Sequence, residues 1–124
     1  MSARNTAAPV SRFADTGHIF IAGPLALDGH ENAAYIISSE AMRLGADEFE
    51  TLYMLACREN MPVSFECIYN AVWEPEDGAD RRGEALGGIT SVINIINSAG
   101  ADFVWIEHNP SSGYVFRTKW GHNR

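Results

Sequence analysis

Apolar residues recur along this chain with two periods, and the change from one to the other divides it into a sheet, three helices and a hairpin. HIFIAGPLAL, residues 18–27, is apolar and rich in β-formers, and Gly23-Pro24 breaks it into two short strands. DGHEN, residues 28–32, is a turn, and AAYIISSEAMRL, residues 33–44, reads as one or two further strands. A small antiparallel sheet is therefore predicted ahead of the first helix. The period then lengthens. In ADEFETLYMLACREN, residues 46–60, Phe49, Leu52, Tyr53 and Ala56 fall at i, i+3, i+4 and i+7, the stripe of a core-facing helix. Asp47, Glu48 and Glu50 lie near its start, where the helix dipole favours carboxylates, and Asn60 followed by Pro62 ends it.

Ser64 is a good N-cap for a second helix, SFECIYNAVW, with Phe65, Ile68, Ala71 and Val72 as its stripe. Glu74-Pro75 stops it, and EPEDGAD, residues 74–80, is an acidic loop. The third helix is expected from about Gly83 to Ser98, with Ile89, Val92, Ile93 and Ile96 buried and Gly100 as its C-cap. Gly87-Gly88 disfavours helix by about 1 kcal/mol per residue against alanine. Either the helix starts only at Gly88 or Ile89, or the glycines permit close approach of another backbone. Ile95 falls off the stripe and is expected to be exposed. FVWIEH and GYVFRTKW then form two strands joined by NPSSG, a hairpin by its proline, serine and glycine.

A single domain of 124 residues is large enough to bury a core without metal or disulfides. Cys57 and Cys67 are expected to be small buried hydrophobes in a reducing compartment, and His18, His30, His108 and His122 are too scattered for a metal site. The longest apolar runs are too short to span a bilayer. Residues 1–17, MSARNTAAPVSRFADTG, lack a signal-like apolar core and read as a disordered polar tail before a domain over 18–124, with a cytoplasmic location expected.

Charge sharpens this picture. The net charge is -7, but it is uneven. Residues 1–80 hold four arginines against thirteen carboxylates, giving -9, and residues 81–124 hold five cations against three carboxylates, giving +2. An acidic whole argues against loose, charge-driven binding to nucleic acid, and a basic C-terminal third leaves room for a specific site.

Three stretches in this order resemble the winged helix-turn-helix effector domain of OmpR/PhoB-type response regulators, over roughly residues 19 to 120. LGADEFETLYMLA resembles the family's first helix, PVSFECIYNAVW its second helix ending in alanine-valine-tryptophan, and WIEHNPSSGYVF its wing hairpin. The resemblance implies an α+β fold: an N-terminal antiparallel sheet, a three-helix core and a C-terminal wing. It also implies that the third helix enters the major groove of double-stranded DNA and that the wing touches the backbone or adjacent minor groove. The loop carrying Glu74, Glu76, Asp77 and Asp80 would be available to RNA polymerase. Trp73, Tyr114 and Phe116 have a sufficient reason to be present in core packing alone.

The third helix departs from the family in lacking the usual arginines. Its polar side offers Thr90, Ser91, Asn94, Asn97 and Ser98, and the wing tip offers Asn109, Ser111 and Ser112. Positive charge lies at the edges, in Arg81, Arg82, Arg117 and Lys119, with His108 able to add part-time charge. Asn can pair with adenine, and Ser or Thr with several base edges, without any cation. Phosphate contacts do want cations, and four of them imply a log–log salt slope of about -0.9 × 4, or roughly -3.6. Weak monomer binding helped by a homodimer is the expectation. The bland alternative makes the polar residues a solvated helix face and Arg81-Arg82 counter-charges for the acidic loop. GEALGG lacks the lysine-hydroxyl pair of a phosphate loop, and no nucleophile motif, cofactor site or metal site is indicated. Two functions stay open: a stand-alone DNA-binding transcription regulator, and an acidic winged-helix module that binds RNA polymerase, another regulator or itself.

Overall fold

The computed structural model describes residues 19–36, 41–100 and 103–119. Residues 1–17, read as a tail, lie outside the described residues. Strands β1 (Ile19–Ala22), β2 (Leu25–Asp28), β3 (Ala33–Ile36) and β4 (Met42–Arg43) form a four-stranded antiparallel sheet in chain order. Alternation sorts the sheet's faces. Leu25, Leu27, Ala34 and Ile36 turn into the core, while Ile19, Ile21 and Tyr35 are exposed on the other side. Ile21 pairs with Ala26, and Ala26 with Tyr35, in a row across that outer face. Gly23 takes φ 59 in the turn between β1 and β2, as its place beside Pro24 leads one to expect.

Helix α1 (Ala46–Cys57) begins at Gly45, whose N–H donates to the Glu48 carboxylate at 3.2 Å, half of a capping box. Phe49, Leu52 and Ala56 are buried with Met54 and Leu55, so the core-facing stripe is wider than the spacing alone predicts. The turn after α1 closes at Asn60, in the left-handed region at φ 69, which asparagine tolerates.

Helix α2 (Phe65–Ile68) is capped by Ser64, whose hydroxyl accepts from the Cys67 N–H at 3.1 Å, and it runs on into a wider π turn over Tyr69–Trp73. Glu74 N–H donates to the Tyr69 carbonyl at 2.8 Å, an i to i+5 bond. This widening corrects the expected stripe. Ala71 is exposed, and Tyr69 and Trp73 are buried beside Ile68 and Val72.

Helix α3 (Arg82–Ala99) is capped by Gly100 and buries Ala85, Ile89, Val92 and Ile96. It does not wait for Ile89 to start. Gly88 serves a close approach, but to a ring rather than to backbone: a Cβ there would lie 2.3 Å from the Trp73 indole. The indole N–H in turn donates to the buried Thr51 hydroxyl at 3.0 Å. Ile95, expected to be exposed, is half-buried and packs against the core with Ile93.

Strands β5 (Val104–Asn109) and β6 (Gly113–Thr118) form the hairpin, with Tyr114 and Phe116 in the core. Val63 bridges to Tyr114 and ties the hairpin to the α1–α2 connection. Gly113, at φ 118, is required there, since a Cβ would meet the Val63 carbonyl oxygen at 2.3 Å. Sheet, three helices and hairpin thus share one core, the winged helix-turn-helix architecture. The cysteines are a correction: Cys57 and Cys67 are both exposed free thiols. Cys57 is the last residue of α1, past the part of the helix the core covers, and Cys67 lies on the solvent side of α2.

Candidate nucleic-acid interface

Helix α3 presents its outward side as two neighbouring ridges. Leu86, Thr90, Asn94 and Ser98 follow one another at i+4, all exposed. Gly83, Gly87 and Ser91 form the ridge beside them, and beta carbons at Gly83 or Gly87 would meet nothing within 4 Å. No hydrogen bond ties the side chains of Thr90, Ser91 or Asn94 to any described residue. Beyond Glu84 this surface carries no charge.

Asn97, grouped with these residues by sequence, is held differently. Its Nδ2 donates to the Ile106 carbonyl at 3.1 Å, and its Oδ1 accepts from the Ile106 N–H at 2.7 Å. The amide thus satisfies both backbone groups of one residue of β5 and fixes the wing to α3. Sequence gives no sign of this, because the partner is a backbone whose register against the helix only the fold sets.

The arginines before the helix are also engaged. Arg81 is bidentate with Glu84, Nε to Oε1 at 2.8 Å and Nη2 to Oε2 at 2.6 Å, with Asp47 at 3.9 Å. Its guanidinium lies 5.9 Å from the Trp73 ring centroid. Arg82 is bidentate with Glu66 at 3.1 and 3.3 Å, approaches Asp80 at 3.7 Å, and stacks 4.6 Å over the Tyr69 ring. The hydrogen bonds to Glu84 and Glu66 raise the pKa of each guanidinium, and the bond from Arg81 holds Glu84 below the ordinary carboxylate range. Of the acidic-loop partners anticipated for this pair, Asp80 is found, and Glu66, Asp47 and Glu84 join it. Glu84, three residues after Arg81, was legible as a helix pair. Glu66, sixteen residues before Arg82, was not.

The acidic loop is itself organised. Asp77 accepts from the Ala79 N–H at 2.9 Å, and Asp80 accepts from the Arg82 N–H at 3.0 Å. The Tyr69 hydroxyl accepts from the Arg81 N–H at 3.0 Å and donates to the Ala79 carbonyl at 3.5 Å. A carboxylate therefore already occupies the first turn of α3, where a helix N-terminus would otherwise attract an anion. Glu74 and Glu76 are exposed at the start of the same loop.

In the wing, Asn109 Oδ1 accepts from the Ser111 N–H and hydroxyl at 2.9 and 2.8 Å, shaping the tip. His108 stacks on Tyr114 with centroids 4.3 Å apart. Arg117 lies away from the tip: it pairs with Glu107 at 3.1 Å and donates to Asn60 at 3.0 Å. Glu107 is held below the ordinary carboxylate range, first by the Trp105 indole N–H and then by Arg117. Lys119 sits at the base of the hairpin, its N–H donating to the Phe103 carbonyl at 2.9 Å. Six strand residues separate base from tip, about 20 Å at 3.3 Å per residue. Of the four edge cations, only Lys119 lies outside an ion pair among the described residues.

No protein-family model and no curated protein matches the chain. Solved structures do. The DNA-binding domain of Escherichia coli CadC is 15% identical with a TM-score of 0.65, over 80% of this chain and 91% of that one. The C-terminal domain of the nisin resistance regulator NsrR is 21% identical with a TM-score of 0.62, over 78% and 95%. The AdeR DNA-binding domain, solved in complex with an intercistronic region, is 10% identical with a TM-score of 0.62, over 79% and 98%. The fold is that of OmpR/PhoB-type DNA-binding domains, as the sequence resemblance implied.

Proposed function

We propose that this chain is the sequence-specific DNA-binding domain of a transcription regulator, acting in the cytoplasm. Helix α3 lies in the major groove and the wing on the backbone. The observation that carries this reading is the outward face of α3. On a fold shared with solved DNA-binding domains, exposed Thr90 and Asn94 and half-buried Ser91 have side chains with no hydrogen bond to any described residue. The reading gives DNA contacts around that face to Arg81, Arg82, His108, Asn109, Arg117 and Lys119, and gives Asn97 the positioning of the wing. Among the described residues no helix is long and apolar enough to cross a membrane, and two exposed free thiols fit a reducing compartment. Homodimerisation on DNA is supported by the apolar outer sheet face of Ile19, Ile21 and Tyr35. The ordered loop of Glu74, Glu76, Asp77 and Asp80 is the surface offered to RNA polymerase.

One observation favours a second reading, a protein-binding winged helix: Arg81, Arg82 and Arg117 already face carboxylates. Fluorescence anisotropy on random-sequence duplex near 50 mM salt separates the two. On the DNA reading, Lys119→Ala weakens binding to all sequences alike and more than Arg117→Ala does. Absence of binding at micromolar protein selects the protein partner.

A further inference from the structure

Resting on the DNA-binding reading, we propose that the outward ridge of α3 selects A·T base pairs. Three residues one helical turn apart carry the selection: Leu86, Thr90 and Asn94.

The inference starts from what α3 cannot do. The commonest base-specific contact is a bidentate bond from arginine or lysine to guanine O6 and N7. The cation within α3 is Arg82, and its guanidinium is bound to Glu66 and stacked on Tyr69. No other lysine or arginine occurs from Gly83 to Ala99. Cytosine offers a donor to a carboxylate, but Glu84 is held by both its oxygens to Arg81. The two side-chain types that read a G·C pair by charge are thus missing from the outward ridge or already bonded.

What the ridge does offer matches the other pair. Asn94 is exposed, with an amide that can donate to adenine N7 and accept from adenine N6 at once. Leu86 is a large apolar residue left 50% exposed on a helix whose other large apolar residues are buried or half-buried. An aliphatic side chain in the major groove has one apolar partner there, the thymine methyl. Thr90 stands between them with a methyl and a hydroxyl, able to meet either. The neighbouring Gly83 and Gly87 project nothing, which lets the helix settle close to the base edges.

The experiment is selection of binding sites by the full chain from a random duplex pool near 50 mM salt, followed by anisotropy on defined duplexes. The expected result is a core dominated by A·T pairs. Replacing the adenine under Asn94 by guanine lowers affinity about 5- to 150-fold, and Asn94→Ala abolishes that preference. Replacing one thymine by deoxyuracil, which removes only the methyl, lowers affinity about fourfold, and Leu86→Ala makes the protein indifferent to it. Both side chains are exposed, and circular dichroism of the variants checks that the fold is kept. An enriched core rich in G·C, or binding with no sequence preference, overturns this inference and leaves DNA binding standing. Retention of no duplex at all overturns both.

Discussion

The first turn of α3 and its middle are made of opposite materials. Around Arg81, Arg82 and Glu84, every charge is bonded to another charge or stacked on an aromatic ring. From Gly87 to Asn94 the outward side carries no charge and no internal hydrogen bond among the described residues. In many DNA-binding helices one set of arginines both grips phosphate and reads bases. On the proposed reading the two tasks fall to different places here: grip is held in reserve by intramolecular carboxylates, and reading is left to neutral side chains.

The sharpest way to break this contrast is to release the cations. Glu66→Gln with Glu84→Gln removes the bidentate carboxylates of Arg82 and Arg81, leaving only the longer approaches of Asp80 and Asp47 to compete with phosphate. Each released contact steepens the salt slope by about 0.9 and raises affinity at 50 mM salt by about 15-fold in the ideal limit. An unchanged affinity in anisotropy would mean that these guanidiniums do not face DNA.

Two adjacent glycines test the sides of the helix against each other. Gly88→Ala drives a methyl into the Trp73 ring, and overpacking of this kind lowers stability by about 1–3 kcal/mol, read from urea or thermal melts. Gly87→Ala meets open space, so it should raise stability by up to about 1 kcal/mol through helix propensity. The same Gly87 change puts a methyl between helix and groove, and DNA binding should weaken while the melting temperature rises. Equal melts for the two variants would contradict the packing described.

The smallest effect is in pH. The Glu84 and Glu107 carboxyls titrate below their ordinary value in the folded chain because Arg81, and Trp105 with Arg117, bond to the charged form. Their stabilisation is complete above the unfolded pKa, about 4.3 for glutamate, and is lost as pH falls through the lower folded value. Melts should therefore be flat from pH 7 to about 5 and decline below about 4.3, with Glu84→Gln reducing the decline.

Much of the fold was legible because it rests on periodicity and punctuation. The strand breaks at Gly23-Pro24, the Ser64 cap, the Ile89-Val92-Ile96 stripe and the NPSSG turn are all local signals, and the structure has each of them. The failures were positions where a neighbour decides. The π turn moved Ala71 out and Tyr69 in, since a one-residue change of helical register has no marker in the spacing of apolar residues. Ile95 was half-covered by surroundings that spacing within α3 does not describe. The candidate interface divided the same way. Which residues face outward on α3 followed from the period, but the engagement of Arg82 by Glu66, Arg117 by Asn60 and Asn97 by Ile106 depends on contacts 16, 57 and 9 residues apart.

The central claim is that the chain binds duplex DNA with most of its interface cations pinned. The direct test is the salt dependence of its affinity, by anisotropy, for duplex DNA between about 50 and 200 mM salt. The account predicts measurable binding with a log–log slope of about -1 to -2, well short of the -3.6 that four free cations would give. No binding to any duplex at micromolar protein, or a slope of -3.6 or steeper, would contradict it.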